Sequence, residues 1–146
     1  MENLKEKYDK GVFNVIVLGI IFDPKKRKVL IGKRKKETYI ENLTWCFPGG
    51  KPEYGEELEE SIKREIKEET NLNVENLGAV FVKTYPEKKD LIAIYYLCEM
   101  IDGEENPEHD FEELKWVNPE EIEKYFTTSL HPNLKEYLLH LGDTPY

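Results

Sequence analysis

The chain has 146 residues, of which 39% are hydrophobic, 12% aromatic and 35% charged, and its formal net charge is −9. This size and aromatic content are typical of one folded domain and exclude a disordered chain, and the longest apolar run, 15–22, is far shorter than the ~20 residues that span a bilayer. We therefore expect a single domain over residues 1–146, cytoplasmic and without a secretory signal.

Apolar runs and turn residues predict both strands and helices. In chain order the predicted elements are strands 12–23, 29–34 and 45–47, helix 57–70, strands 77–84, 91–100 and 114–117, and helices near 119–125 and 133–141. An acidic loop, 102–110, separates the predicted strand 91–100 from the predicted strand 114–117. Because strands and helices mix without regular alternation, the pattern indicates a layered α+β fold.

The predicted helix 57–70 carries three glutamates in an unusual place. Glu65, Glu68 and Glu69 border its apolar stripe and lie in its last turns, where the helix dipole favours cations. Like charges at this spacing are about 5–6 Å apart and repel one another. A divalent cation bound by the carboxylates would relieve the repulsion. Ion pairs with the basic residues of the same helix are the alternative explanation.

The charge is also uneven along the chain. Residues 1–52 hold 12 Lys and Arg against 6 Asp and Glu, whereas residues 53–146 hold 9 against 24. So acidic a chain is a poor candidate for binding a nucleic-acid polymer. Basic and acidic segments together suit a metal-assisted phosphate site, but a solvated Lys/Glu-rich surface also explains the charge.

Residues 50–72 resemble the signature of the Nudix hydrolase superfamily. The signature runs Gly, five residues, Glu, seven residues, Arg-Glu, an aliphatic, any residue, Glu-Glu, any residue, Gly, an aliphatic. Eight of its nine defining positions are matched, by Gly50, Glu56, Arg64, Glu65, Ile66, Glu68, Glu69 and Leu72. Asn71 stands at the remaining Gly position, which resembles a left-handed helix C-cap, and Asn is the best non-Gly residue there.

This resemblance implies an α/β/α sandwich with a mixed sheet, and hydrolysis of a nucleoside diphosphate linked to another group. It implies Mg²⁺ as the cofactor, with Mn²⁺ as an alternative. The implied metal ligands are the carbonyl of Gly50 (or Gly49) and the carboxylates of Glu65, Glu68 and Glu69, with Glu56 as an auxiliary acid. Arg64 would orient the glutamates. The general base would be Glu65 or an acid of the downstream segment that holds Asp110, Glu112 and Glu113, of which we choose Glu112.

Three basic residues resemble the phosphate contacts of MutT-type members: Lys33, Arg34 and Lys51. For each, a charge that protects a strand edge is an equal alternative. Four aromatic side chains are candidates for stacking on a base: Tyr39, Trp45, Phe47 and Tyr85. Trp45 and Phe47 could equally belong to the core. The two cysteines, Cys46 and Cys98, are expected to be inert buried thiols.

The resemblance leaves the substrate class open. The compact chain and the segment 45–51 favour a nucleoside triphosphate, an oxidised or deoxy nucleotide included, cleaved to a monophosphate and pyrophosphate. Pro86, 15 residues after Asn71, favours the alternative of an ADP-ribose or nucleoside-diphosphate-sugar pyrophosphatase. A nucleotide-binding module without turnover is a third reading, against which the complete glutamate set argues. We expect a small-molecule partner, no nucleic-acid polymer and no membrane, and leave a homodimer open.

Overall fold

Seven strands and three α-helices lie in the described residues, 11–35 and 43–143, of the computed structural model. In chain order the elements are β1 Asn14–Asp23, β2 Lys28–Arg34, β3 Trp45–Cys46, β4 Gly49–Gly50, α1 Leu58–Thr70, β5 Asn73–Tyr85, β6 Lys88–Asp102, β7 Phe111–Val117, a 3₁₀ turn Pro119–Glu121, α2 Ile122–Tyr125 and α3 Pro132–Asp143. No helix in this described part of the chain is both long and apolar enough to cross a membrane.

One mixed sheet joins the strands in the order β3-β2-β1-β6-β5, with β4 added beside β1 and β7 beside β2. β1 and β6 run parallel, whereas the other neighbours are antiparallel. β1 and β2 pair only near their connecting turn, at Phe22 with Val29 and Asp23 with Lys28. Beyond those pairs the two strands separate and leave a cleft beside β4.

Helices cover both faces of the sheet. Alternate residues of β1 point to opposite faces and so belong to two different cores. On one face Ile20 belongs to the same core cluster as Leu134 of α3, and on the other Val17 clusters with Ile66 of α1. Gly19 lets α1 come close, since a Cβ there would lie 2.7 Å from the Ile66 Cδ1 atom. The predicted α+β sandwich of a mixed sheet between helices is confirmed.

Most differences from the prediction are at strand ends. β5 begins at Asn73 rather than at 77, and β7 begins at Phe111 rather than at 114. The first extension pairs with β6 through backbone bonds that polar residues make equally well. The second is fixed by the Phe111 ring, which lies 2.7 Å from where a Cβ on Gly32 would be. Residues 119–125 divide into the 3₁₀ turn and α2 instead of forming one helix.

Helix α1 ends as the sequence predicts. Asn71 has φ 66°, in the left-handed region, and its backbone N–H donates to the carbonyl of Lys67 at 3.0 Å. Such a cap satisfies one of the carbonyls that a helix end leaves without an intrahelical donor. Asn71 therefore replaces the usual Gly with the same backbone conformation.

Candidate active site

A pocket of about 350 Å³ lies where β1 and β2 separate. Its apolar lining consists of Ile16, Leu18, Leu43, Cys46, Phe47 and Tyr85. Its polar lining consists of Arg34, Gly49, Gly50, Lys51, Glu65, Glu68, Glu69, His109 and Asp110. The three glutamates of α1 thus face the same space as two basic side chains and the segment that precedes β7.

Glu69 is the most deeply buried acid of the pocket, with 4% of its surface exposed. Its Oε1 atom accepts a hydrogen bond from the backbone N–H of Gly49 at 2.7 Å. Burial raises the pKa of the Glu69 carboxyl to about 8, and the charges of Glu65 and Asp110 act in the same direction. Gly49 itself cannot carry a side chain, since a Cβ would lie 2.0 Å from the Val17 carbonyl oxygen.

Arg64 holds the neighbouring glutamates of α1. Its Nη1 atom donates to Glu65 Oε1 at 3.1 Å and to Glu68 Oε2 at 3.2 Å. Its Nε and Nη2 atoms donate to Glu56 Oε2 and Oε1 at 2.7 and 2.9 Å, a bidentate pair that fixes the guanidinium. The orienting role that the resemblance implies for Arg64 therefore has a direct geometric basis.

Glu56 has both of its carboxylate oxygens occupied. Besides Arg64, the Oε1 atom accepts bonds from Ser61 Oγ at 2.6 Å and from the Glu53 N–H at 3.0 Å. The bonds from Arg64, Ser61 and Glu53 lower the pKa of Glu56 to about 2. Glu56 is not among the side chains that line the pocket. The structure places Glu56 against Arg64, and its assignment as an auxiliary acid of the metal site stays a prediction.

The remaining carboxylate oxygens fit a hard cation. Within the described residues, no hydrogen-bond donor reaches Glu65 Oε2, Glu68 Oε1 or Glu69 Oε2. A Cβ on Gly50 would lie 2.6 Å from Glu65 Oε2, so the lack of a side chain at Gly50 leaves room for the Glu65 carboxylate beside this backbone. An all-oxygen donor set suits Mg²⁺. In the described part of the chain, no three acidic, histidine or cysteine side chains are already gathered at metal-binding distance.

The basic wall of the pocket consists of Arg34 and Lys51. Arg34 pairs with Asp110, its Nη2 atom lying 3.4 Å from Oδ2. Its Nε atom is buried and has no hydrogen-bond partner among the described residues. An unsatisfied buried donor in a pocket wall favours an anionic ligand. Lys33, the third predicted phosphate contact, does not line this pocket and instead lies 3.4 Å from Glu112.

Comparison with known proteins gives the family. Residues 12–141 match the family described as NUDIX domain. The chain belongs to this family.

The relatives differ in activity and in the extent of the match. The chain is 48% identical over 59 residues to the 8-oxo-dGTP diphosphatase of Buchnera aphidicola, a match that covers 40% of this chain and 43% of that one. It is 34% identical over 115 residues to the ADP-ribose pyrophosphatase of Methanocaldococcus jannaschii, covering 75% and 64%. The chain thus spans less than two thirds of either relative. A NUDIX hydrolase from Nitrosomonas europaea shares the fold, with a TM-score of 0.71, 23% identity, and coverage of 91% of this chain and 72% of that chain.

Of the three downstream acids considered from the sequence, Asp110, Glu112 and Glu113, the one that lines the pocket is Asp110, which is called the loop acid below. Lys33 pairs with Glu113 and Arg34 with Phe111, so a β-bulge leaves Glu112 without a partner in the ladder. The structure therefore does not bring Glu112, the general base chosen from the sequence, to the pocket. Sequence reasoning also missed His109, which lines the pocket with φ 52°. No signal in the sequence marks the bulge that decides between these residues.

The aromatic candidates divide between pocket and core. Phe47 and Tyr85 line the pocket, and Phe47 also packs edge-on against Phe126 with ring centres 5.1 Å apart. Trp45 packs against Tyr125 at 5.4 Å and does not line the pocket. Tyr39 lies outside the described residues.

Cys46 also lines the pocket, and its thiol is buried. Burial raises the pKa of its thiol to about 12, so the thiolate does not form near neutral pH.

Proposed function

We propose that this chain is a divalent-metal-dependent pyrophosphohydrolase of nucleoside diphosphate derivatives. The observation that carries the proposal is one pocket with Glu65, Glu68 and Glu69 on one side and Arg34 and Lys51 on another. Hydrolysis of a phosphoanhydride needs neutralised phosphate oxygens and a positioned water molecule. Acidic and basic walls around one cavity supply both requirements.

Mg²⁺ is the proposed cofactor, with Mn²⁺ as an alternative. The free oxygens of Glu65, Glu68 and Glu69 would hold it together with the carbonyl of Gly50. When bound, such an ion neutralises charge on the phosphoryl oxygens and lowers the pKa of a coordinated water. Arg64 contacts one carboxylate oxygen of Glu65 and one of Glu68, so it can hold both side chains while the other oxygen of each stays available.

The other pocket residues receive separate roles. Arg34, with its unsatisfied Nε–H, and Lys51 would bind phosphate oxygens. Either Glu65 or Asp110 would accept the proton of the attacking water, and Asp110 replaces Glu112 as the proposed loop acid. Phe47 and Tyr85 give the pocket an apolar part that suits a nucleobase.

For the substrate we propose a nucleoside triphosphate, cleaved between the α and β phosphates to a monophosphate and pyrophosphate. The 8-oxo-dGTP diphosphatase relative supports this class and extends it to oxidised nucleotides. The ADP-ribose pyrophosphatase relative supports the second candidate. Pro86 adds little to it, because it lies in the tight turn between β5 and β6, where proline is common. We further propose a free nucleotide, rather than a polymer, as partner and a cytoplasmic location.

A substrate screen tests the proposal. Nucleoside triphosphates, 8-oxo-dGTP, ADP-ribose and nucleotide sugars are incubated with the protein and either Mg²⁺ or a chelator. We expect pyrophosphate release from a triphosphate, abolished by the chelator. Faster release of AMP and ribose phosphate from ADP-ribose would establish the second candidate instead. Binding of nucleotides with no turnover in the presence of Mg²⁺ would refute the enzyme and leave a binding module.

A further inference from the structure

The loop 103–110 covers the C-terminal turn of α1 and ends at the pocket. The backbone N–H of Asn106 donates to the carbonyl of Thr70, and that of Glu108 to the carbonyl of Glu69, each at 3.0 Å. Carbonyls in the last turn of a helix have no intrahelical donor, so the loop supplies the missing bonds. The loop is thus attached to the same turn that places Glu69 in the pocket.

Asn71 adds a side-chain bond to this attachment. Its Nδ2 atom donates to the carbonyl of Glu104 at 3.2 Å. A glycine at this position would adopt the left-handed conformation with less strain but would lack this donor. The departure from the Nudix signature at Asn71 therefore creates a contact between α1 and the loop.

Gly103 fits the loop closely against the helix end. It has φ +108°, and a Cβ there would lie 2.8 Å from the Asn71 carbonyl oxygen and 3.2 Å from Leu72 Cα. Both of those atoms belong to the backbone and cannot turn aside as a flexible side chain does. Any residue other than glycine would push the loop away from α1.

The far end of the loop is fixed to the sheet. The carbonyl of Asp110 accepts a bond from the backbone N–H of Lys35 at 2.7 Å, and the Phe111 ring is 1% exposed. His109 and Asp110 lie between these two attachments and line the pocket. The position of Asp110 is therefore set by the contact of the loop with α1 on one side and by β7 on the other.

We propose that Asn71 and Gly103 are positioning residues, which seat loop 103–110 on α1 and thereby hold Asp110 in the pocket wall shared with Glu65 and Glu69. Neither residue lines the pocket itself. The inference rests on the proposed function, in which Asp110 faces the substrate or the attacking water. In this proposal the C-terminal end of α1 also controls the position of loop 103–110.

Two glycine substitutions separate displacement of the loop from simple backbone strain. Gly103→Ala and Gly78→Ala both place alanine at a positive φ, +108° and +113°, but a Cβ on Gly78 meets nothing within 4 Å. Both variants should lose stability in thermal unfolding, and Gly103→Ala should lose more, because its Cβ also meets the α1 backbone. Only Gly103→Ala should lower kcat, by about tenfold or more, since small misplacements of a reacting group are costly. Equal kcat in the two variants would overturn the proposal.

A double-mutant cycle shows whether the effect passes through Asp110. In the Asp110→Asn background, Gly103→Ala should cost less than about twofold in kcat, because coupled residues are not additive. The same fold loss in both backgrounds, or full activity of Asp110→Asn alone, would contradict the proposal.

Asn71→Gly should keep or raise the melting temperature, yet lower kcat about threefold, the factor of one modest hydrogen bond. Wild-type kcat in this variant would remove Asn71 from the positioning role.

Hydrogen exchange gives a readout that does not depend on turnover. The amides of Asn106 and Glu108 should exchange faster in Gly103→Ala than in the wild type. In Gly78→Ala their exchange rates should equal those of the wild type. Unchanged exchange in Gly103→Ala would overturn the seating of the loop. Failure of the proposed function would look different, since the wild-type chain would then show no metal-dependent release of pyrophosphate while the exchange pattern stayed as expected.

Discussion

Replacing Glu69 by glutamine changes the charge of the site while leaving its packing intact. Glu69 is almost fully buried, and its Oε1 atom accepts the bond from the Gly49 N–H. Glutamine has nearly the same shape, and its amide oxygen can accept that bond. Differences between the variant and the wild type therefore report on the carboxylate charge.

In the absence of metal, the Glu69 carboxyl makes the wild type less stable as pH rises. Burial raises its pKa from 4.5 to about 8 in the folded state. The contribution of the protonated carboxyl to the unfolding free energy is therefore complete below pH 4.5 and is lost as pH rises toward 8. At about 1.4 kcal/mol per pKa unit, this shift corresponds to at most about 4–5 kcal/mol. With a chelator present, Glu69→Gln should match the wild type at pH 4 and exceed its unfolding free energy at pH 9. Urea unfolding at the two pH values measures the difference.

In the presence of Mg²⁺, the same variant should lose activity. Removing a charge that stabilises the transition state lowers kcat by about 10²-fold or more. Glu68→Gln should behave similarly, whereas Glu60→Gln, at an exposed position of the same helix, should retain wild-type kcat. Full activity in both Glu68→Gln and Glu69→Gln would refute the metal site, and a Glu69→Gln variant less stable than wild type at pH 9 would refute the electrostatic reasoning.

Three further predictions concern the rest of the pocket. Arg34→Ala and Lys51→Ala should raise KM about tenfold with little change in the Mg²⁺ midpoint, whereas Lys33→Ala should change KM less than about twofold; initial-rate kinetics check all three. Asp110→Asn should lower kcat about tenfold or more, while Glu112→Gln keeps it, and the reverse order would restore Glu112 as the loop acid. A nucleoside triphosphate should exceed ADP-ribose in kcat/KM by about tenfold, equal to about 1.4 kcal/mol, in paired assays that separate pyrophosphate from AMP.

The sequence predicts the elements of this fold well and their ends less well. Periodicity and turn residues locate the strands and α1, because burial of one side of an element produces a regular pattern of apolar residues in the sequence. The start of β5 at Asn73 is decided by backbone pairing with β6, to which a polar segment contributes as well as an apolar one. The start of β7 depends on Phe111 filling the space over Gly32, a contact between residues far apart in the chain.

The same division between local and distant information holds for the site. Glu65, Glu68, Glu69 and Arg64 lie within two turns of one helix, so their spacing in the sequence already brings them together. The choice between Asp110 and Glu112 depends on a β-bulge between β2 and β7 that periodicity does not reveal. Ser61 and the Glu53 N–H, which donate to Glu56 Oε1, are close to Glu56 in sequence but carry no motif of their own.

The uneven charge of the chain becomes meaningful once these contacts are known. Glu56 engages the Nε and Nη2 atoms of Arg64, which leaves only Nη1 to serve both Glu65 and Glu68. Glu69 receives a backbone N–H but no ion pair among the described residues, so one guanidinium, that of Arg64, faces several carboxylates on the acidic wall. The basic wall comes from the residues before position 52, and Asp110 engages only part of the Arg34 guanidinium. A divalent cation and a polyphosphate together would complete both walls, which is why the free carboxylate oxygens and the free Arg34 donor point to one substrate complex rather than to two unrelated surface features.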